Sequence, residues 1–552
     1  MNSSKARSLP AAVLTCLGVV AGFGVAGPAN AMHINPDGLG QVLFYPYYTV
    51  RNGNVTAVSV INTTSLTKAV KVRFLGGKNG REVLDFNLFL SPTDVWTGVV
   101  LPTANGAKVE TGDNSCVTPS DLFGDAAGAI RNDARGLPVN EFSNVQYTGA
   151  NVDNPTMTSV DRTREGYIEV FEMGIVTDAT MAGLIKHGTS GATAGRPANC
   201  AALDAYEGTS TAALPAVKLP GQYLISPAGG LTGRASIINS ANGTNYTYDI
   251  TALDGWWAPI APGPGNVPYS APGMTTPSIS LQAGIDTVSH VMVTGNPTVA
   301  NSVGVVRAVW ATPREAVSAA LMRSSIINEF VTDFFTRSQT DWVITMPTKR
   351  DNIIAGSGIL PNRPFSNNFA NETATGSCDA YTLRIFNREE ATLGAAPGVL
   401  IGLRPPPAAV PGQVLCWQAN VVEFGPTGLL GSTNNDTLPG AARVFASIGA
   451  TSTGAVGATF SRRTLQGPNG WAALDFGATT SATPGQTQQS ITPLRATLNG
   501  VTFVGGTGTH FGLPVIGAMF HNYTNASVSS AYGGVIPHRY VRTIDTLDRG
   551  TP

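Results

Sequence analysis

The chain has 552 residues, a formal net charge of −1 and 12% charged residues, against an ordinary share of about 25%. That balance excludes the basic excess that nucleic acid or an anionic membrane surface calls for. Sixty-three glycines and 37 prolines favour many short strands and turns over long helices.

Residues 1–31 read as a secretory signal peptide. Lys5 and Arg7 form a positive head, Ala11 to Gly27 is apolar or small, and Ala29-Asn30-Ala31 is a small-x-small cleavage signal. The apolar run is too short and wrongly flanked for a membrane span. Cleavage after Ala31 takes 31 residues from 552, leaving 521 that begin at Met32, and no transmembrane helix is expected in them. The expected address is extracellular or the cell surface, or else the periplasm. Cys16 leaves with the leader, since Thr15 is a poor neighbour for a lipidated cysteine. Cys116, Cys200, Cys378 and Cys416 remain. An even number in an oxidising compartment predicts two disulfides, with three connectivities open. Near-neighbour pairing, Cys116–Cys200 and Cys378–Cys416, would put one bridge in each half. No Cys-x-x-Cys spacing exists, which favours a structural over a metal-binding role.

Strand signals begin at once. Gln41 to Val50 is aromatic and β-branched, Asn52-Gly53 is a hairpin turn, and Val55 to Ile61 alternates as a return strand. Ala69 to Phe74, the turn Gly76 to Gly80, and Glu82 to Leu90 follow. In the last run Leu84, Phe86, Leu88 and Leu90 share a face opposite Val83, Asp85, Asn87 and Phe89, which predicts a sheet packed on one side. Residues 101–160 are polar and loop-like. Strands resume at Gly166 to Phe171 and from Arg234 to Ile250, the latter split by a Ser240-to-Gly243 turn. Pro259 to Pro277 is a Pro/Gly-rich linker or surface excursion.

Thr312-Pro313-Arg314-Glu315 is a capping box with proline at the first helical position. Val317, Ala320, Leu321, Ser324 and Ile327 continue it as an apolar stripe, widened by Met322, Ile326 and Phe330. This predicts one packed connecting helix near 312–331. Strand patterns return at Trp342–Met346, Tyr381–Phe386, Val414–Phe424, Ala442–Ile448, Trp471–Phe476, Val501–Val504, Leu513–Phe520, Ser527–Tyr532 and Arg539–Ile544. The expected fold is mainly β, with two or more β-sandwich domains of immunoglobulin-like or jelly-roll-like character. The expected divisions are an N-terminal sandwich over 32–258, a linker or excursion over 259–280, strands and the helix over 281–339, and a C-terminal sandwich over 340–552.

Asn35 to Gly40, the Phe44-to-Asn54 hairpin, Arg81 to Trp96, and Thr340 to Arg350 (TDWVITMPTKR) resemble recurring blocks of a family of exported bacterial β-rich proteins. The resemblance extends over most of the chain after the leader. It implies an exported, β-rich protein, and because that family has no established activity it supplies no catalytic residues.

Compact catalytic motifs are missing from the sequence. No Gly-x-Ser-x-Gly elbow occurs: Gly356-Ser357-Gly358 and Gly188-Thr189-Ser190-Gly191 lack its spacing. There is no His-Glu-x-x-His, and His510, His521 and His538 near the C-terminus are not at ligand spacing. A copper brace at His33 would need His33 as the first residue, which cleavage after Ala31 prevents. Asp113, Asn114, Asp121 and Asp125 share a polar loop without an EF-hand pattern. The acids best placed for glycosidase-like work are Glu169, between Tyr167 and Phe171, and Glu389-Glu390. No catalytic residue, cofactor or metal is assigned. Tyr45, Tyr47, Tyr48, Trp256 and Trp257 form aromatic clusters able to stack on sugars or enter a protein partner, although such rings fill cores more often. The expected function is that of an exported non-enzymatic structural, adhesion or assembly protein with a protein or glycan partner, or further copies of itself. The alternatives are a secreted polysaccharide-active enzyme using carboxylates on a β-scaffold, and an outer-membrane β-barrel.

Overall fold

The computed structural model describes residues 31–123, 139–152, 157–191, 194–207, 223–258, 267–293, 304–332, 336–353, 364–365, 377, 379–387, 414–424, 428–434, 443–444, 469–476, 490–498, 501–504, 509–525 and 530–545. Glu389-Glu390, Asp125, Cys378 and Gly356-Ser357-Gly358 lie outside the described residues.

Short alternating segments separated by glycine turns fold as strands, and the fold is mainly β. The first half supplies β1 (His33–Asn35), β2 (Val42–Thr49), β3 (Val55–Asn62), β4 (Lys68–Gly76), β5 (Glu82–Leu90), β6 (Val95–Pro102), β7 (Ala107–Glu110), β8 (Cys116–Thr118), β9 (Val139–Glu141), β10 (Glu165–Val176), β11 (Leu224–Ile225), β12 (Leu231–Asn239), β13 (Thr244–Asp249) and β14 (Thr251–Asp254). One sheet runs β1-β14-β2-β10-β4-β5-β8 with β11 beside β10, and the other runs β13-β12-β3-β6-β7-β9. Their facing side chains, Val70, Val72, Phe86 and Leu88 from the first sheet and Val58, Val60, Trp96 and Ile237 from the second, share one core.

Asn52-Gly53 turns as expected, with φ of 53° and 76°, the left-handed pair that Asn-Gly tolerates. It does not close a paired hairpin, however, because β2 belongs to one sheet and β3 to the other. The Thr56 hydroxyl accepts from the Thr49 amide (3.1 Å) and donates to the Thr49 carbonyl (2.9 Å). One side chain thus satisfies both backbone groups at the corner where the chain changes layer.

The capping box is formed: the Glu315 amide donates to Thr312 Oγ1 (3.3 Å), and the Thr312 amide donates to Glu315 Oε2 (3.1 Å). The helix spans Pro313–Leu321 and ends there, shorter than the apolar stripe predicts. From Ser325 to Val331 the chain is a strand, paired with Asn469–Asp475 on one side and Arg539–Val541 on the other. Tertiary pairing of the β-branched Ile326-Ile327 overrides a stripe that fits either period.

Strands beyond residue 281 pair over long sequence distances. Val288–Val293 and Gly304–Val309 form a sheet with Arg495–Leu498 and Val501–Val504. Gln339–Thr345 lies between Ala419–Phe424 and Ala518–Asn525. Val343, Val421, Leu430 and Phe520 enter the core of the first two sheets, while Trp342, Ile344, Phe424 and Leu474 belong to a second core. Contacts gather Ala31–Pro552 into one compact unit.

Cys116 and Cys200 are bonded. The bridge ties β8 to the segment carrying the helices Ala179–Ile185 and Leu203–Glu207, over a satellite core that contains Met181, Ile185, Leu203 and Tyr223. Cys416 is also held in a disulfide.

Candidate functional site

The first sheet departs from the one-sided packing expected of it, because β4 and β10 are buried along their whole length. Side chains pointing away from the sandwich core are in large part charged: Lys71 and Arg73 on β4, Asp85 on β5 and Glu169 on β10. The register sets Arg73 opposite Asp85 on one side and opposite Glu169 on the other. Segment 269–282 lies across them as a strap. Asn87 Nδ2 donates to the Ser270 carbonyl (2.9 Å), the Gly273 amide to Asp85 Oδ2 (2.9 Å), and Arg73 Nη1 to the Pro277 carbonyl (2.8 Å). Ser278 Oγ and Ser280 Oγ both donate to Asp351 Oδ2, at 2.6 and 2.7 Å.

Beneath the strap is a cleft of about 270 Å³ lined by Arg73, Glu82, Tyr167, Glu169, Arg350 and Asp351, among others. Arg73 Nε donates to Glu82 Oε2 at 2.7 Å, while its Nη1 is 3.6 Å from Glu169 Oε2. Glu169 therefore sits in the interior with a more distant counter-ion. Burial pushes its carboxyl up to about 8, the negative charges of Asp351 and Glu82 adding to the effect and Arg73 opposing it. Burial also raises the Tyr167 phenol, with Glu169 contributing, and its oxygen accepts from Gln418 Nε2 at 3.1 Å. An acid that keeps its proton at neutral pH thus lines the same cleft as a second carboxylate. That combination is the raw material of general acid–base chemistry.

Two further buried ion pairs lie outside the lining of this cleft. Lys68 Nζ donates to Glu172 Oε1 (2.5 Å) and the Gly229 carbonyl (2.7 Å), and the Ala228 and Gly229 amides donate to the same carboxylate. Lys349 Nζ donates to Asp379 Oδ2 and the Leu415 carbonyl, both at 3.1 Å. These are fully paired interior charges, as burial demands.

The five aromatic candidates are corrected by their position: all are buried, so none offers a face to a sugar or partner in solvent. Tyr45, Tyr47 and Tyr48 lie in the first core, and their hydroxyls donate to the Ser59 carbonyl (2.6 Å), Glu165 Oε2 (2.8 Å) and the Thr163 carbonyl (3.2 Å). Trp256 and Trp257 pack with Phe44, Phe171 and the Pro313–Leu321 helix, and Trp256 Nε1 donates to the Ile279 carbonyl (2.8 Å). Internal acceptors for the polar tips allow these rings inside. Large aromatic side chains that do reach the surface include Trp471 (37% exposed), Tyr523 (38%) and Tyr532 (59%). Trp471 stacks on Phe386 at 4.3 Å, and Tyr523 and Tyr532 are direct cross-strand partners. Alternation on Ala518–Asn525 and Ser530–Pro537 was the signal that would have found the tyrosine pair.

The histidines do not converge. His510 Nε2 lies 3.2 Å from the Ala319 carbonyl, and His521 is edge-on to Tyr523. His538 is buried, with Nε2 3.0 Å from the Val343 carbonyl and Nδ1 3.0 Å from Asn328 Nδ2. His33 Nδ1 approaches the Ala31 carbonyl at 3.0 Å, and Met32 beside it is buried. Asp113 caps its own turn, accepting from the Ser115 amide (2.8 Å) and hydroxyl (2.7 Å). Among the described residues no group of three or more His, Cys, Asp or Glu is placed to hold a metal ion, and no helix is long and apolar enough to cross a membrane. No protein-family model, curated protein or solved structure matches this chain.

Proposed function

We propose that the chain is an exported, non-enzymatic structural protein that works at the cell surface or outside the cell, in adhesion or assembly. The observation that carries this reading is the Cys116–Cys200 bridge, with Cys116 buried and Cys200 half-buried against the satellite core, since a structural disulfide belongs to an oxidising compartment. A second feature supports it. The charged layer under the strap is engaged in pairs and backbone contacts that hold the strap down. The exposed Trp471, Tyr523 and Tyr532 are the contact residues this reading favours for a protein or glycan partner, or for a second copy. The test is protease shaving of intact expressing cells: an exported surface protein is cut, whereas retention in the cytoplasm sinks the proposal.

The protonated Glu169 near Asp351 favours one second reading, a polysaccharide-active enzyme with its acids under the strap. Its test is a panel of polysaccharides offered to purified protein. Hydrolysis that disappears in Glu169→Gln would establish it, and no hydrolysis by the folded wild type would dismiss it.

A further inference from the structure

Six asparagines precede a glycine: Asn52, Asn79, Asn105, Asn242, Asn469 and Asn499. Such a pair can rearrange, because glycine lacks the Cβ that would hinder its backbone nitrogen from reaching the neighbouring carboxamide. The reaction needs two freedoms, that of the asparagine side chain and that of the glycine peptide. The fold distributes them unequally.

Asn52 Nδ2 donates to the Leu429 carbonyl (3.1 Å), which ties down that side chain. Asn79 is buried, its Oδ1 accepts from Arg162 Nη2 (2.6 Å), and the Gly80 amide donates to the Gly76 carbonyl (3.1 Å). After Asn105, the Gly106 amide donates to Thr103 Oγ1 (3.0 Å), and a Cβ on that glycine would meet Thr163 Oγ1 at 2.7 Å. Gly470 is paired on both sides, with Phe330 and with Asn387. Asn499 lies outside the described residues.

Asn242 differs from these. It stands exposed in the turn between β12 and β13, and among the described residues neither its carboxamide nor the Gly243 amide is held by a hydrogen bond. A Cβ on Gly243 would meet nothing nearer than the Ala531 carbonyl oxygen at 3.8 Å, so the space for ring closure is open. The Asn242 amide donates to Asn239 Oδ1 (3.0 Å), which anchors the backbone on the near side of the asparagine and leaves the far side free.

We propose that Asn242 is the deamidation site of the folded protein, converting through a succinimide to isoaspartate and aspartate. The Gly243 nitrogen gives its proton to solvent hydroxide and attacks Cγ of Asn242, forming an N–C bond. The Cγ–Nδ2 bond breaks, and the departing nitrogen takes a proton from water and leaves as ammonia, which regenerates the hydroxide. Water then adds to either ring carbonyl and reopens the ring. One water is consumed, one ammonia is released, and nothing is oxidised or reduced. Isoaspartate lengthens the turn backbone by a methylene and adds a negative charge. It does so where Asn239 joins two turns, because Asn239 Nδ2 also donates to the Asn52 carbonyl (2.8 Å). The inference concerns one surface turn and does not depend on where the protein works.

Prolonged incubation of the full purified chain in mildly alkaline buffer, followed by peptide mapping and isoaspartyl methyltransferase labelling, tests it. In the folded chain, deamidation at Asn242 should run severalfold faster than at Asn52, Asn79, Asn105 and Asn469. In urea that lead should shrink as the restraints on the other pairs vanish, and Gly243→Ala should remove it. Asn242 left intact, or these asparagines converting at similar rates in the folded chain, overturns the assignment. A lead undiminished in urea overturns its structural cause, and a Gly243→Ala chain that deamidates as fast as wild type overturns the role of the Gly243 nitrogen.

Discussion

Two buried groups give the molecule opposite pH responses. Glu169 titrates near 8 when folded, against about 4.5 for an ordinary glutamate. The folded state therefore holds a proton that the unfolded state releases, and stability falls as pH rises from about 4.5 to about 8. His538 is pushed by burial down to about 4 from 6.5, although its bond to the Val343 carbonyl works the other way. Its contribution is present above pH 6.5 and is lost as pH falls toward 4. Urea unfolding across pH 4–9 should show a flatter alkaline limb in Glu169→Gln, by a few kcal/mol in order of magnitude, with the acid limb intact. If the two limbs move together, Glu169 is not the group responsible. Glu169 was legible in the sequence as an acid between aromatic neighbours. Arg73, Glu82 and Asp351 were not, because period-two alternation reveals which residues share a face but not whether a distant strap covers it.

At the scale of elements, strand existence was readable and strand partnership was not. Alternation located β4, β5 and the Trp342–Met346 run, yet Asn52-Gly53 looked like a hairpin although it turns a corner between layers. The stripe from Val317 to Phe330 changes from helix to strand after Leu321 because Asn469–Asp475, well over 100 residues downstream, pairs with it. Local pattern carries no record of such partners. Closing the Cys116–Cys200 loop of 84 residues should contribute about 4.5 kcal/mol in the chain-entropy model. The Cys116→Ser/Cys200→Ser double variant should accordingly melt several degrees lower and be cut first between residues 177 and 207. Unchanged melting would show that the satellite core holds without it. Gly166 offers a second check. A Cβ there would meet the Leu75 carbonyl oxygen at 1.9 Å and Tyr48 at 2.8 Å. Gly166→Ala should cost about 2–4 kcal/mol in equilibrium unfolding, whereas Gly183→Ala, at an open position inside the Ala179–Ile185 helix, should cost nothing and stabilise by up to about 1 kcal/mol.

Across the whole molecule, Glu165 fastens the first sheets to residues near 430. It accepts from Tyr47 (2.8 Å), Arg51 Nε (3.0 Å), Ser432 Oγ (2.6 Å) and the Thr433 amide (3.0 Å) and hydroxyl (2.7 Å). Burial alone would raise its carboxyl, but Arg51, Ser432 and Thr433 together hold it below the usual range. Its contribution is thus present above about pH 4.5 and lost only as pH falls through that depressed value. Glu165→Ala leaves Arg51 its second carboxylate partner, Asp161 (2.7 Å), but takes the acceptor from Tyr47, Ser432 and Thr433; it should cost about 1–3 kcal/mol, broadening or splitting the thermal transition as the two regions come apart. A single sharp transition at wild-type temperature would refute that role.

The central claim is that this β-rich chain is exported and works oxidised outside the cytoplasm. It is tested most directly by the intact, non-reduced mass of protein released from the surface of expressing cells. The account predicts a chain beginning at Met32 with all four remaining cysteines, Cys116, Cys200, Cys378 and Cys416, in disulfides. A chain retaining Met1 and free thiols, recovered from the cytoplasm, would contradict it.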